Sequence, residues 1–302
     1  MRKSNHERPV FGVAVLAAIA VIMAAAAISC SRTPSVDLSS LPPALGTPGS
    51  ERFTFKSKLL AKDMALYVHL PPGYDSAKKY PVVYLLHGFG NNEVEWFDYF
   101  HLDAVADDLV TQGRIKPMIL VAPQMDNGWG TDSGEPKRLS SNPKNSMYSG
   151  PYESYLVKEV VPLIDARYPT LKDASSRCIA GVSMGGYSSL HIGLRNRKVF
   201  GAIAGHSPAL RTSFIPDWLL YSKDRPAEKN DPVLLASSER QGKTRLWLDC
   251  GESDNLLSGS VEMRKALEAN GWKVEYSTAP GAHNAQYWTS RFEDYLTFYS
   301  GK

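Results

Sequence analysis

From about residue 51 onward, apolar and β-branched runs alternate with amphipathic stretches along the chain. Runs over 64–70, 82–86, 118–122, 178–182, 200–204, 246–250 and 274–277 predict strands. Stretches over 102–111, 152–168, 185–194 and 260–270 predict helices, and 285–299 closes the chain as another. Strand and helix in alternation imply an α/β fold whose mostly parallel sheet is covered on both faces. No internal repeat is present. Two stretches, 125–150 and 209–243, break the rhythm. Long loops beyond strand C-termini border the ligand crevice in such sheets. They carry Trp129, Tyr148, Trp218 and Tyr221, which are candidates for an aromatic pocket and equally for core packing or loop anchoring.

The N-terminus follows a different pattern. A basic start (Arg2, Lys3, Arg8) precedes an uncharged apolar run of 19 residues, 10–28. Ala26-Ala27-Ile28-Ser29-Cys30 then resembles a bacterial lipobox. That signal implies removal of residues 1–29 and diacylation of Cys30, with the protein lipid-anchored in the bacterial cell envelope outside the cytoplasm. An uncleaved signal anchor, near the lower length limit for a bilayer span, and ordinary cleavage are the alternatives. All three export the domain. Residues 31–50 are rich in Ser, Pro and Gly, so 30–50 reads as a flexible tether and 51–302 as one catalytic domain.

Removing the leader changes the charge balance. It takes Arg2, Lys3 and Arg8 against Glu7, which leaves 31 basic and 30 acidic side chains. A mature chain so nearly neutral offers no electrostatic case for nucleic acid. Cys178 and Cys250 lie in strand-like apolar runs, and neither has metal-ligand spacing. They read as small buried thiols, with no disulfide framework and no metal.

Chemistry enters with Gly181-Val182-Ser183-Met184-Gly185-Gly186, a G-x-S-x-G match between a predicted strand and a predicted helix. The turn exposes the Ser183 hydroxyl and aims a helix N-terminus at developing negative charge. A serine needs a base to take its proton. With chain order Ser, acid, His, only His206 and His283 follow the elbow and its helix, and His206 has no acid before it in the required place. His283 is the candidate base, in a loop between the last strand and the last helix. Asp249, Glu252 and Asp254 compete for the acid that would orient it. Asp254, past the Gly251 turn, is preferred, because Asp249 still belongs to the strand. An ester's oxyanion needs two donors. The Met184 N–H supplies one, and the Phe89 N–H in Leu86-His87-Gly88-Phe89-Gly90 is the candidate second.

Together, Tyr84-Leu85-Leu86-His87-Gly88-Phe89-Gly90, the elbow, Gly251-Glu252-Ser253-Asp254 and His283-Asn284 followed by Trp288 resemble the esterase D family. The resemblance covers about residues 51–300 and implies the α/β-hydrolase fold, a serine esterase acting through an acyl-enzyme, and no cofactor. Family members include feruloyl and acetyl-xylan esterases, S-formylglutathione hydrolases and the antigen 85 mycolyltransferases. Tyr152-Glu153-Ser154-Tyr155 leading into Val160-Val161-Pro162-Leu163-Ile164 is most similar to the feruloyl and small-ester branch. A small-molecule or carbohydrate ester is therefore the expected substrate. Transfer of the acyl group to a sugar hydroxyl is one alternative, and a non-catalytic surface-binding lipoprotein is another. A serine peptidase of the same fold ranks lower.

Overall fold

The computed structural model describes residues 38–139, 146–210, 230–238 and 240–301. Among them, eight strands form one sheet. In chain order these are β1 (Gly49–Ser57), β2 (Lys62–Leu70), β3 (Val82–Leu86), β4 (Ile119–Pro123), β7 (Arg177–Val182), β8 (Ala202–His206), β9 (Arg245–Gly251) and β10 (Val274–Ala279). Their spatial order is β1-β2-β4-β3-β7-β8-β9-β10. The β1–β2 and β2–β4 pairs are antiparallel, and every pair from β4 to β10 is parallel. Parallel neighbours need crossovers, and helices supply them on both faces.

Strand β3 illustrates why both faces are dry. Val82, Tyr84 and Leu86 pack on one side with Ile179 and Phe200, while Val83 and Leu85 face Trp96, Leu120 and Trp288 on the other. All five are buried, so the strand reads as a continuous apolar run rather than an alternating one.

The elements differ from the sequence pattern where local sterics intervene. Strand β8 starts at Ala202, two residues late, because the Gly201 N–H is already committed to the Ala174 and Arg177 carbonyls. The helix expected over 152–168 comprises a short helix Tyr152–Tyr155, a π-turn at Leu156–Val160 and a helix Val161–Arg167. Pro162 lacks the N–H that a continuous α-ladder would use. The last helix breaks at Arg291 into Ala285–Ser290 and Phe292–Tyr299. Further elements come in addition, among them edge strand β1, the π-turn Glu95–Tyr99, helix Pro232–Ser238, and an antiparallel hairpin of β5 (Asp132–Arg138) and β6 (Tyr148–Pro151).

The segment before β1 is also ordered in part. Leu41 and Leu45 pack against the core, and Arg167 donates to the Pro42 and Pro43 carbonyls. Packing thus begins upstream of Glu51, within the stretch whose composition reads as a tether. The apolar leader and Cys30 lie outside the described residues, as do Trp218 and Tyr221. Among the described residues, no helix is long and apolar enough to cross a membrane.

Candidate active site

Ser183 stands between β7 and the helix Met184–Arg195, with φ +56° and ψ −116°. Such a conformation costs a non-glycine residue on the order of 1–3 kcal/mol. Three backbone hydrogen bonds oppose that cost, each with a net value of about 1 kcal/mol. The Ser183 N–H donates to the His206 carbonyl at 2.9 Å, and the Ser183 carbonyl accepts from the Tyr187 and Ala209 N–H groups, each at 3.0 Å. Glycine is required at position 185 for close approach: a Cβ there would come 2.1 Å from the Leu86 carbonyl oxygen.

His283 lies 100 residues downstream, yet its Nε2 sits 2.9 Å from Ser183 Oγ. Its Nδ1 lies 2.9 Å from Asp254 Oδ2. These partners define a tautomer in which Nδ1–H donates to the carboxylate and Nε2 accepts from the hydroxyl. The loops bearing acid and base are laced by backbone. The Glu252 N–H donates to the Ala279 carbonyl at 2.9 Å, and the Ser253 N–H to the Gly281 carbonyl at 2.8 Å. Trp288 packs edge to face against the imidazole, with centroids 5.0 Å apart. Its indole N–H donates to Ser207 Oγ.

Of the three competing carboxylates, Asp254 is the one brought to His283. Burial opposes its ionisation, but hydrogen bonds from His283, the Leu256 N–H and Ser207 outweigh that and hold its pKa below the ordinary value. Glu252 is exposed. Asp249 is fully buried within β9, where it accepts from His206 Nδ1, Trp247 Nε1 and the Tyr287 and Tyr295 hydroxyls. His206 therefore has an acid after all, and the neighbouring strand supplies it: His206 and Asp249 are register partners of β8 and β9. Chain order hides that pairing. His206 Nε2 meets Tyr299 Oη at 2.6 Å and its ring stacks on Tyr295, so both residues belong to a satisfied core network.

The loop after β3 faces Ser183 from across the elbow. It is pinned at three points, two through its backbone and one through the His87 side chain. The Gly88 N–H donates to Glu95 Oε2 at 2.6 Å, the Gly90 N–H to Asn127 Oδ1 at 2.8 Å, and the Met125 N–H to His87 Nε2 at 3.0 Å. Burial lowers the His87 pKa and keeps its ring neutral, as its acceptor role requires. Among the described residues, the Phe89 N–H has no protein acceptor. The Met184 N–H opens a helix, where the first turn's N–H groups have no intrahelical partner. Glu95 and Asn127 fall in no motif of the sequence, and His87 carries no signal beyond its place in the stretch 86–90. Their pairing depends on where the loops fold.

Trp129 does not line an open pocket. It is 2% exposed, at φ +57°, and packs behind Phe89 against Tyr187. Tyr148 is half-buried beneath the Lys62 ammonium.

Comparison with known proteins agrees with this fold. The Esterase family model matches residues 57–299. An endo-1,4-beta-xylanase/feruloyl esterase of Xylanibacter ruminicola is 30% identical over 248 residues, 79% of this chain and 29% of that one. Esterase Rv1288 of Mycobacterium tuberculosis is 27% identical over 267 residues, 76% of this chain and 55% of its own. The chain thus spans about a third to a half of those relatives' lengths. A solved ferulic acid esterase superposes with a TM-score of 0.70 at 26% identity, over 85% of this chain and 99% of that one. A ferulic acid esterase from Anaeromyces mucronatus, solved with ferulic acid, shares the fold at a TM-score of 0.65 and 22% identity, over 85% of this chain and 91% of its own. With that match running over most of a sheet and elbow of this kind, the chain belongs to the esterase family, built on the α/β-hydrolase fold.

Proposed function

We propose that the protein is a serine carboxylic-ester hydrolase that works through an acyl-enzyme on small acyl, feruloyl or acetyl esters of carbohydrate-like alcohols. The observation that carries this is the continuous hydrogen-bonded line from Ser183 Oγ through both nitrogens of His283 to the Asp254 carboxylate. In this reading His283 Nε2 takes the Ser183 proton as Oγ attacks the ester carbonyl. The tetrahedral oxyanion is held by the Phe89 and Met184 N–H groups. As it collapses, the imidazolium passes its proton to the leaving alkoxide, and the acyl group stays on Ser183. Water then attacks, giving its proton to His283, and the carboxylic acid leaves as Ser183 regains its hydrogen. Asp254 stays ionised and stabilises the imidazolium in both halves.

The feruloyl and acetyl preference is supported by the relatives: a protein 30% identical carries the name feruloyl esterase. The test is a panel of p-nitrophenyl acetate, methyl ferulate, acetylated xylan and trehalose monoesters. Turnover of feruloyl or acetyl substrates with release of free acid is expected. Acyl transfer to added trehalose in preference to water would instead establish a transferase. A serine-directed phosphonate should label Ser183 in the wild type, and labelling at another residue would overturn the nucleophile assignment.

Export with lipidation at Cys30 is the second part of the proposal, resting on the lipobox-like residues Ala26 to Cys30. Expressed in a bacterium, the wild type is expected to lose residues 1–29 and take up labelled palmitate, whereas Cys30→Ser stays an unlabelled precursor. An intact N-terminus in the wild type, read by mass spectrometry, would make it a signal-anchored protein.

A further inference from the structure

The loop that carries Phe89 is held by a carboxyl group placed where a serine esterase does not need one for proton transfer. Glu95 opens the π-turn Glu95–Tyr99 and is 2% exposed. Both its oxygens are engaged by the loop. Oε2 accepts the Gly88 N–H at 2.6 Å, and Oε1 accepts from the Asn91 side-chain amide. The α-carbon of Gly88 separates this carboxyl from the nucleophile. A Cβ built there would lie 3.5 Å from Glu95 Oε1 and 3.8 Å from Ser183 Cβ. One peptide further along is the Phe89 N–H.

We infer that Glu95 is a positioning residue for the reaction, one whose carboxylate fixes the Gly88 end of the loop and thereby aims the Phe89 N–H at the oxyanion. The inference rests on the oxyanion role proposed above for that N–H. The Asn127 contact fixes the other end at Gly90, so the Phe89 amide is clamped from both sides. Only the ionised group accepts from both donors at full strength. When it protonates, one oxygen becomes a donor facing another donor, and either Gly88 or Asn91 is released.

Burial raises the Glu95 pKa to about 7, and the bonds from the Gly88 N–H and Asn91 pull it back only in part. No charged side chain among the described residues adds to that balance. Nearby ionisable groups are turned elsewhere: Glu93 to Arg52, Asp98 to the Tyr67 hydroxyl, His87 to Gly88 O and the Met125 N–H, His283 to Ser183 and Asp254. The clamp is therefore about half formed near pH 7, tightens as pH rises above it and loosens as pH falls below it.

The test measures kcat and KM for p-nitrophenyl acetate from about pH 5 to 9 in the wild type, Glu95→Gln and Asn91→Ala. In the wild type, His283 and Glu95 must both be deprotonated, so the acid limb of log kcat should steepen beyond a slope of one. Glu95→Gln should lower kcat by about tenfold to a hundredfold with KM little changed, the scale of a small misplacement at a reacting centre, and should return the slope to one. Asn91 is exposed, and Asn91→Ala removes a bond that favours the carboxylate, so its acid limb should shift to higher pH. A thermal melt of Glu95→Gln separates misplacement from unfolding. If it melts well below the wild type, Asn91→Ala alone decides. Wild-type slope and midpoint in both variants would overturn the assignment. A wild type without esterase activity would overturn the function proposed above instead.

Discussion

Ser183→Ala is expected to fold as the wild type does and to lose about six orders of magnitude in kcat, keeping only the residual rate that binding and oxyanion donors provide. The substitution retains the Cβ, so the backbone strain at φ +56° is unchanged, and so are the bonds to His206, Tyr187 and Ala209. What disappears is the one side-chain hydrogen bond Ser183 makes among the described residues, to His283. Unfolding curves of variant and wild type should coincide while ester turnover differs. Activity near wild type would move the nucleophile off the elbow.

Asp254→Asn is expected to keep its fold and lose about 10⁴-fold in kcat, the loss found when the acid of such a triad becomes an amide. The amide can hold the imidazole in the wrong tautomer and cannot stabilise its charge. Because the Asp254 pKa lies below its ordinary value, the group stays ionised through neutral pH. Whatever stability that shift contributes is present above the unfolded-state pKa and lost as pH falls through the folded one. The controls separate three kinds of carboxylate. Glu252→Gln, at an exposed position, should change neither activity nor stability. Asp249→Asn should act on stability instead. An amide nitrogen would face some of the four donors that converge on Asp249, costing about 1–3 kcal/mol for each group left unpaired, or roughly 2–10 °C in Tm for a domain of this size. A larger kcat loss at Asp249 or Glu252 than at Asp254 would reassign the acid.

The three residues proposed as nucleophile, base and acid are legible in the sequence because each follows a feature that local rules govern. Ser183 follows a buried strand and precedes a helix, and the close approach at Gly185 leaves its signature as a glycine. His283 and Asp254 follow from chain order and from the turn at Gly251. The central strands were legible as well, since dry parallel strands are apolar throughout. Edge strand β1 does alternate, with Phe53, Phe55 and Ser57 inward. Its first residues carry no apolar pattern, and the composition there favours a tether. The hairpin of β5 had no signal at all: Asp-Ser-Gly-Glu-Pro-Lys-Arg is polar throughout and half-buried to exposed. Glu95 and the His206–Asp249 pair were hidden for another reason. A carboxylate seven residues past a glycine, or a histidine 43 residues before an aspartate, acquires meaning only once a loop or a sheet register brings the two together.

The two thiols of the sheet have a practical consequence. Cys178 is on β7 and Cys250 on β9, with β8 between them, which sets their backbones at least roughly 9.6 Å apart. That exceeds the reach of a disulfide, about 7 Å, so an oxidising compartment cannot join them while the sheet is intact. Burial raises both to about 12, leaving almost no thiolate in the native state at neutral pH. With Cys30 occupied by lipid, they would be the only sulfhydryls in the mature chain. Where labelling outpaces reclosing, a maleimide should then react at the rate at which the sheet opens, so the protein carries its own clock for unfolding, readable by mass with no mutation added.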